Sequence, residues 1–499
     1  MTKRHGLSKS RITLFEQCPR RLWLSVHRPE AAVVAASTRS AFADGHRVGE
    51  LACRLHPGGF MIDDARGLGA AIDETARLLA STDRPLFEAT FAHEGVLVRV
   101  DLMLPTASGW HVAEVKNTTG MKEYHRGDLA TQLWVMRGAG VNVARASIRH
   151  IDRSFVLSRA GDYAGLFADS FIGADLEPVI AGRGVIVAAA RAVLASDEPA
   201  REIGAHCDTP FACSFKSWCG RGMPAAPMWP VSLLPDTAGK KLAAKLIAGG
   251  ISDLTLAPAE AMTSAKLSRV HAATVSGVPF HDAEAIVAET DDWAYPRTYL
   301  DFETIQFAIP RWLGTKPFEQ VPFQWSAHVA AADGSIAHHE FLSINGIDPR
   351  RLCAEALITL PATGAVIAWN APFERTCLIG LARLFPDLAA SLTSLADRLV
   401  DLLPVARRHY YHRDMHGSWS IKAVLPTLGT PGYDELTEVK SGTDAQAGYL
   451  EAIDPATSDD RREALRQGLL AYCARDTEAM LVVLDRLTRA PDADGNANA

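Results

Sequence analysis

The stretch that most constrains the fold is residues 86–116, which has the pattern of three short strands joined by two tight turns. Apolar residues recur at every second position of the second strand, the period of a half-buried strand, and this alternation places Asp101 on the opposite face. In the third strand Glu114 and Lys116 are two residues apart and therefore share a face. We expect Asp101, Glu114 and Lys116 to meet across this hairpin.

This acidic hairpin has the composition of a metal site. Two carboxylates held close repel each other, and a divalent cation between them keeps both ionised. Mg²⁺ or Mn²⁺ on Asp101 and Glu114 would polarise a phosphodiester and lower the pKa of a bound water, while Lys116 orients that water. The alternative is an ordinary surface hairpin in which Glu114 and Lys116 form a weak cross-strand pair.

Length and composition bound the rest of the chain. The 499 residues are enough for about three domains. Hydrophobic residues make up 48% and charged residues 22%, as in globular proteins, and we expect no apolar run long enough to span a membrane. The basic N-terminus lacks an apolar segment after it, so we predict a cytoplasmic protein without a secretory signal.

The net charge of −7 argues against a general polyanion binder, so any nucleic-acid path would be local. Two stretches have a suitable composition: a basic N-terminal arm, and a later segment that mixes arginines with aromatic residues able to stack on bases. Their members are Lys3, Arg4, Lys9 and Arg11 in the arm, and Arg407, Arg408, Tyr410, Tyr411, Arg413 and Trp419 in the later segment. A solvated loop is the alternative for each.

The segments around the hairpin are predicted to complete a small mixed sheet. A capped helix over residues 7–24 and a second helix that carries His46 precede the hairpin, and a helix that carries Gln132 and then a strand follow it. The alternative for His46 is an ordinary packing residue on an amphipathic helix.

Four cysteines suggest a second kind of metal site. Cys207, Cys213 and Cys219 have five residues between neighbours, and in a reducing compartment such a group indicates metal binding rather than disulfides. Cys18 is the best candidate for a fourth ligand. We favour an iron–sulfur cluster, with zinc as the alternative, because zinc sites prefer cysteine pairs separated by two to four residues.

Residues 7–222 resemble the PD-(D/E)XK nucleases of the RecB type, and in particular the iron–sulfur members that include CRISPR-associated adaptation exonucleases. Met136 stands where these proteins usually have tyrosine. The resemblance implies that a 4Fe–4S cluster staples the two ends of the domain together. It further implies metal ligands at His46, Asp101 and Glu114, a catalytic lysine at Lys116, a supporting Gln132, and cluster ligands at Cys18, Cys207, Cys213 and Cys219.

The second half of the chain brings further acids from distant elements. Asp301 and Glu303 lie two apart on a predicted strand and share a face, and Glu374 lies in the first turn of a predicted helix. Tyr472 and Asp476 lie four apart on one face of a long helix near the end. Two metal ions about 4 Å apart need such a ring of acids.

These motifs resemble the DEDD exonucleases of the DnaQ-like superfamily, in their tyrosine-bearing subtype. The resemblance implies an RNase H-like fold, metal ligands at Asp301, Glu303, Glu374 and Asp476, and a water-orienting Tyr472. Glu374 stands where the family has aspartate. The alternative is an RNase H-like domain whose acids serve no reaction.

The two halves together predict an α/β multidomain protein, and their order resembles a bacterial family in which an iron–sulfur PD-(D/E)XK-like domain precedes a DEDD-like domain. The segments are a PD-(D/E)XK restriction-endonuclease-like domain over residues 1–222, a helical connector over 223–293, an RNase H-like domain over 294–490 and a disordered tail over 491–499.

The predicted function is a metal-dependent nuclease, an exonuclease by preference, that acts on DNA ends or single strands, with DNA favoured over RNA. The alternative is a nucleic-acid-binding scaffold of a defence or repair system in which one or both sites have decayed. A third hypothesis makes the cysteine cluster a redox sensor that controls nucleic-acid binding.

Overall fold

The chain is a mixed α/β protein with two compact units, which confirms the predicted α/β multidomain class. A computed structural model describes residues 6–34 and 36–489, apart from the side chains of residues 36–43. The first unit contains Met1–Met223 and Phe307–Glu319, and the second contains Pro224–Gln306 and Gln320–Ala499. Lys3, Arg4 and the predicted tail lie outside the described residues.

The first unit is built on a seven-stranded mixed sheet. Its strands are β1 (Leu7–Ser8), β2 (Phe60–Met61), β3 (Leu86–His93), β4 (Val96–Thr106), β5 (Gly109–Lys116), β6 (Val143–Ile151) and β7 (Phe167–Phe171). Its helices are α1 (Lys9–Gln17), α2 (Pro19–His27), α3 (Ala36–Arg54), α4 (Leu68–Ser81), α5 (Glu123–Gly138), α6 (Glu177–Ala181), α7 (Arg183–Ala195) and α8 (Lys216–Cys219). The strand order is β2-β3-β4-β5-β6-β7, and β1 pairs with β4.

The predicted hairpin is present as β3, β4 and β5, with α5 packed on β3, β4 and β6, and α3 packed on β4 and β5. Alternate burial holds along β4 as far as Leu102, but the next residue, Met103, is buried as well. The reason is that Leu102 packs beside Cys53 of α3, whereas Met103 joins the core that contains Leu129 of α5. Asp101 lies at this change of pattern.

The predicted N-terminal helix is present in two pieces, as its internal proline requires. The Ser8 side chain caps α1 by accepting the Arg11 backbone N–H at 3.3 Å, and Pro19 opens α2, where its missing N–H leaves no bond unmade. Cys18 joins the two helices in an extended conformation. Cys18, the first cysteine, therefore lies between two helices and not within one.

The second unit combines a five-stranded sheet with many helices and a two-stranded ribbon. Its strands are β8 (Phe280–His281), β9 (Arg297–Ile305), β10 (Val321–Ala330), β11 (Ile336–Leu342), β12 (Val366–Ala368), β13 (Leu399–Asp401) and β14 (Tyr410–Tyr411). Its helices are α9 (Asp236–Ala248), α10 (Ala265–Ser276), α11 (Ala283–Thr290), α12 (Arg350–Leu357), α13 (Pro372–Leu384), α14 (Ala389–Asp397), α15 (Leu402–His409), α16 (Ile421–Val424), α17 (Gly442–Ala452) and α18 (Asp459–Leu487).

The larger sheet has the order β11-β10-β9-β12-β13, with β9 parallel to β12 and antiparallel to β10. The long helix α18 packs across β9 and β10, and α13 also contacts β9. The central strand β9 therefore faces two helices that come from distant parts of the sequence.

The predicted connector, residues 223–293, packs as part of the second unit. Its strand β8 pairs with β14, and the His281 ring contacts the Leu487 carbonyl oxygen at 2.8 Å. His409 of α15 lies 2.7 Å from the Glu289 carboxylate of α11. The segment is helical as predicted, but its own apolar residues join a core, so it is not a free linker.

The aromatic residues of the predicted nucleic-acid segment are interior residues. Tyr410, Tyr411 and Trp419 are buried, and Arg408 forms an ion pair with Glu289. Stacking on bases requires accessible ring faces, so these three rings are not placed to stack on bases, and they do not form the solvated loop of the alternative either.

One described helical stretch, Ala174–Ala195, has the length and composition of a membrane span, with a mean hydropathy of 1.6. The expectation that the sequence holds no such stretch is therefore corrected. Its helix α7 packs on α1, α2 and α5 and buries Val187 and Leu194 in the core of the first unit. A core helix meets the same criterion, so a single such stretch is weak evidence for a span.

Candidate metal centres

Three acids of the second unit form a compact ligand group. Asp301 and Glu303 share a face of β9, as predicted, and Asp476 reaches them from α18. One carboxylate oxygen from each residue lies within 4.8 Å of the other two. Glu303 and Asp476 are buried, and Asp301 is half-buried. Oxygen ligands at this spacing can hold Mg²⁺ or Mn²⁺.

A fourth acid, Glu374, lies beside this group in the first turn of α13. The chain enters the helix through Asn370, whose φ of +80° is rare for residues other than glycine, and the Asn370 N–H donates to Asp401 Oδ1 at 3.0 Å. Glu374 is only 2% exposed, and its Oε2 atom has no hydrogen-bond partner among the described residues. A buried unpaired carboxylate oxygen indicates a missing ligand or proton.

The acids of the second unit hold protons when no cation is bound. Burial raises the pKa of Glu303 to about 8, with repulsion from Asp476 as a further cause. Burial likewise raises the pKa of Glu374 to about 8. The pKa of Asp301 is raised well above its ordinary value by burial and then by the charges of Asp476 and Glu374. A divalent cation would reverse these shifts.

A lysine and two tyrosines complete this site. Lys422 Nζ donates to Tyr472 Oη at 3.0 Å and to the Lys440 carbonyl oxygen at 2.6 Å. Tyr433 Oη donates to Asp476 Oδ1. Burial and the charge of Asp476 raise the pKa values of both tyrosines, so both hydroxyl groups keep their protons. Tyr472 is a predicted site residue, whereas Lys422 and Tyr433 are new.

The acidic site of the first unit contains the predicted hairpin residues. Asp101 Oδ2 accepts the Val115 backbone N–H at 2.7 Å. Glu114 is 3% exposed, and its Oε1 atom accepts Lys116 Nζ at 2.9 Å and Lys9 Nζ at 2.6 Å. The Glu114 Oε2 atom is buried without a partner in the described part of the chain. Both lysines therefore bond the Oε1 atom of Glu114, and the Oε2 atom is left for a ligand.

Helix α5 supports this site with two polar residues. Lys116 Nζ donates to Asp128 Oδ2 at 3.1 Å, and Thr13 of α1 donates to Asp128 Oδ1 at 2.6 Å. Gln132, a predicted site residue, accepts Lys9 Nζ at 3.0 Å. Asp128 and Gln132 are four residues apart on one helix face, a spacing that could have identified Asp128 from the sequence.

The two acids of this site differ in pKa because of the charges around them. Burial and the charge of Glu114 raise the pKa of Asp101 to about 7. Burial alone would raise the pKa of Glu114, but the charges of Lys116 and Lys9 lower it to about 2. Burial alone would lower the pKa of Lys116, but the charges of Glu114 and Asp128 raise it, so the ammonium group keeps its proton. Glu114 is therefore ionised at neutral pH even without a cation.

His46, unlike these buried residues, is exposed to solvent. Its side chain is 85% exposed, and its Nε2 atom lies 4.0 Å from the Glu50 carboxylate, one turn along α3. The structure thus brings Asp101, Glu114, Lys116 and Gln132 together, while the role of His46 as a ligand stays a prediction.

The four predicted cluster cysteines line one cavity, together with Arg20, Arg21 and Arg201. They are Cys18, Cys207, Cys213 and Cys219. All four are free thiols. Thiolates are ligands of both zinc ions and iron–sulfur clusters.

Comparisons with known proteins concern parts of the chain. The family model of a domain of unknown function, DUF2779, matches residues 298–420, which include Asp301, Glu303 and Glu374. No curated protein is significantly similar to the chain. Four chains of solved structures match; one, titled "Crystal structure of SSO0001", is 12% identical with a TM-score of 0.22 over 44% of this chain and 88% of that chain.

Proposed function

We propose that the chain is a metal-dependent phosphodiester hydrolase, with a nuclease centre of the DEDD type on an RNase H-like domain in the second unit. The observation that supports this most strongly is the group of Asp301, Glu303 and Asp476, one oxygen from each of which lies within 4.8 Å of the other two. Glu374 is not part of this group, but it is buried and close enough for its charge to raise the pKa of Asp301. Buried acids at this distance repel strongly unless a cation or protons neutralise them. Two-metal phosphodiester hydrolysis needs such a ligand ring.

The residues fit Mg²⁺ or Mn²⁺ because they offer oxygen ligands and leave a buried carboxylate oxygen of Glu374 unpaired. Asp301, Glu303, Glu374 and Asp476 would hold the ions, which supply charge stabilisation and an activated water when bound. Tyr472, held by Lys422, orients the attacking water through its protonated hydroxyl. Tyr433 donates to one oxygen of Asp476, and Tyr472 also hydrogen-bonds this carboxylate, so the two tyrosines fix its orientation.

We assign the first unit to a PD-(D/E)XK-like domain with a second acidic centre. Asp101 and Glu114 would hold the metal ion, since each has one oxygen fixed by the protein. Lys116 would orient the water or stabilise negative charge on the phosphate, and Gln132 would support the acidic site. We assign the four thiols to an iron–sulfur cluster, with zinc as the alternative, because they are free and line one cavity.

The proposed substrates are DNA ends or single strands, in the cytoplasm. The test is cleavage of end-labelled single- and double-stranded DNA in Mn²⁺ by protein purified without oxygen. We expect Asp301→Ala to lose cleavage by on the order of 10³-fold, as loss of a metal ligand does. The matched control is Glu463→Gln, an exposed acid on the same helix as Asp476, which should leave the rate unchanged.

Two other results would change the assignment. Cleavage that is lost only in Asp101→Ala would place the reaction in the first unit. Tight DNA binding without cleavage in any metal would overturn the nuclease proposal and favour the scaffold alternative, and RNA would be the next substrate to test.

A further inference from the structure

Helix α1 links the acidic site of the first unit to the cysteine cavity. Lys9, the first residue of the helix, hydrogen-bonds Glu114 in the acidic site. Cys18, which follows the last residue of the helix, lines the cavity. Nine helical residues span about 13.5 Å at 1.5 Å per residue, so a single rigid element joins the two places. A displacement at one end must therefore move the other.

Lys9 has specific contacts at the acidic site. Its ammonium donates to Glu114 Oε1 at 2.6 Å and to Gln132 Oε1 at 3.0 Å, and its side chain is 18% exposed. These bonds fix the rotation of the Glu114 carboxylate, because Lys9 and Lys116 both occupy Oε1. The Oε2 atom, buried without a partner among the described residues, is then the oxygen that a ligand can take.

The far end of α1 is anchored to the cysteine segment. Gln17 is buried, and its amide nitrogen donates to the His206 carbonyl at 2.7 Å and to the Phe211 carbonyl at 2.6 Å. These carbonyls flank Cys207 in the sequence and precede Cys213. The seating of α1 thus depends on the conformation of the segment that carries the cluster ligands.

We propose that Lys9 is a positioning residue of the first acidic site, and that α1 keeps it on Glu114 only while the cysteine cluster is intact. This inference rests on the proposed role of Asp101 and Glu114 as metal ligands. Loss of cluster ligation releases the segment on which Gln17 is anchored, α1 shifts, and Glu114 loses the bond that sets its orientation. The state of the cluster thereby controls metal binding at a site that the cysteines do not touch.

The first test measures Mn²⁺ affinity by electron paramagnetic resonance in a chain that also carries Asp301→Ala, so that only the first unit reports. We expect Lys9→Met to weaken binding about tenfold or more, since a hydrogen bond to a charged group is lost. Lys9→Arg should restore most of the affinity, and Arg11→Met, on the same helix, should change nothing. The visible absorbance of the cluster should be equal in all four proteins.

The outcomes separate the inference from the function on which it rests. An unchanged or tighter Mn²⁺ affinity in Lys9→Met would overturn the positioning role, because Lys9 would then only oppose the charge of the metal. If Asp101→Ala leaves the affinity unchanged, the proposed metal site itself is wrong, whatever Lys9 does.

The second test addresses the coupling. Protein whose cluster has been removed with ferricyanide should bind Mn²⁺ about tenfold more weakly, and Lys9→Met should then cause no further loss. Losses that add would show that cluster and lysine act independently, which would overturn the coupling. Circular dichroism of the treated protein confirms that it is still folded, and Cys213→Ser provides the same comparison without an oxidant.

Discussion

The two acidic sites differ in what neutralises them. In the first unit, Lys9 and Lys116 bond Glu114 directly, and its pKa is lowered to about 2. In the second unit, the lysine at the site, Lys422, bonds a tyrosine and a carbonyl, and the pKa of Glu303 is raised to about 8. One site carries its own counter-ions, whereas the other requires protons or a cation from solution.

With metal ions at the two proposed sites, folding and metal binding would be coupled unequally in the two units. A site with internal ion pairs is assembled before a metal arrives, because its charges are already compensated. A site of buried acids without a direct cationic partner is stabilised by whatever cation it binds, since binding to the native state shifts the folding equilibrium. The following experiments exploit that contrast.

After Asp301→Ala, the next largest loss of cleavage is expected at Glu374. Glu374→Gln should lower cleavage by on the order of 10²-fold, because a neutral amide oxygen is a weaker metal ligand. Glu374→Asp, which keeps a carboxylate on a side chain one methylene shorter, should keep at least a tenth of the rate. Rates from single-turnover assays decide this, and full activity of Glu374→Gln would show that the fourth acid takes no part.

The sharpest contrast is in stability. Glu114→Gln removes the carboxylate that Lys9 and Lys116 share, although Lys116 keeps Asp128, and should destabilise the chain by about 2 kcal/mol. Glu303→Gln removes a repelled carboxylate and should stabilise the metal-free chain by about 1 kcal/mol at pH 9. Urea unfolding with EDTA measures both, and changes of the same sign would remove the distinction between the sites.

A smaller effect is expected from the lysine of the second site. Lys422→Met should reduce kcat about tenfold with little change in KM, because Tyr472 loses a hydrogen bond to a charged group. Lys422→Arg should recover part of this loss. An increase in KM alone would instead assign Lys422 to substrate binding.

The pH dependence gives the smallest effect and has a definite sign. Glu303 and Glu374 have native pKa values of about 8, above the ordinary value of 4.5, so the native state holds more protons than the unfolded chain in this interval. The contribution of these two groups to the stability of the metal-free protein is therefore complete below pH 4.5 and is lost as the pH rises through 8. We expect the Tm increase caused by Mg²⁺ to be larger at pH 8.5 than at pH 6, and an equal increase at both would contradict this.

Much of both sites followed from periodicity. The alternation of β4 and β5 identified Asp101, Glu114 and Lys116, and the spacing of two along β9 identified Asp301 and Glu303. The strands bring these side chains together because a half-buried strand fixes the face of each side chain, while their roles as metal ligands stay predictions.

The remaining site residues come from long-range packing that local patterns do not encode. Lys9 was assigned to a basic arm, yet it bonds Glu114, 105 residues away in the sequence. Lys422 lies on a helix of one turn, and Tyr433 lies outside helices and strands, so neither has a periodic signal. Tyr410 and Tyr411 had the composition of a binding loop but are buried because β14 pairs with β8.

The most direct test of the central claim is electron paramagnetic resonance of the full chain, purified without oxygen and titrated with Mn²⁺. A two-metal centre on Asp301, Glu303 and Asp476 predicts a spin-coupled Mn²⁺ pair that persists in Asp101→Ala and disappears in Asp301→Ala. Uncoupled Mn²⁺ alone, or a coupled pair that survives Asp301→Ala, would contradict it.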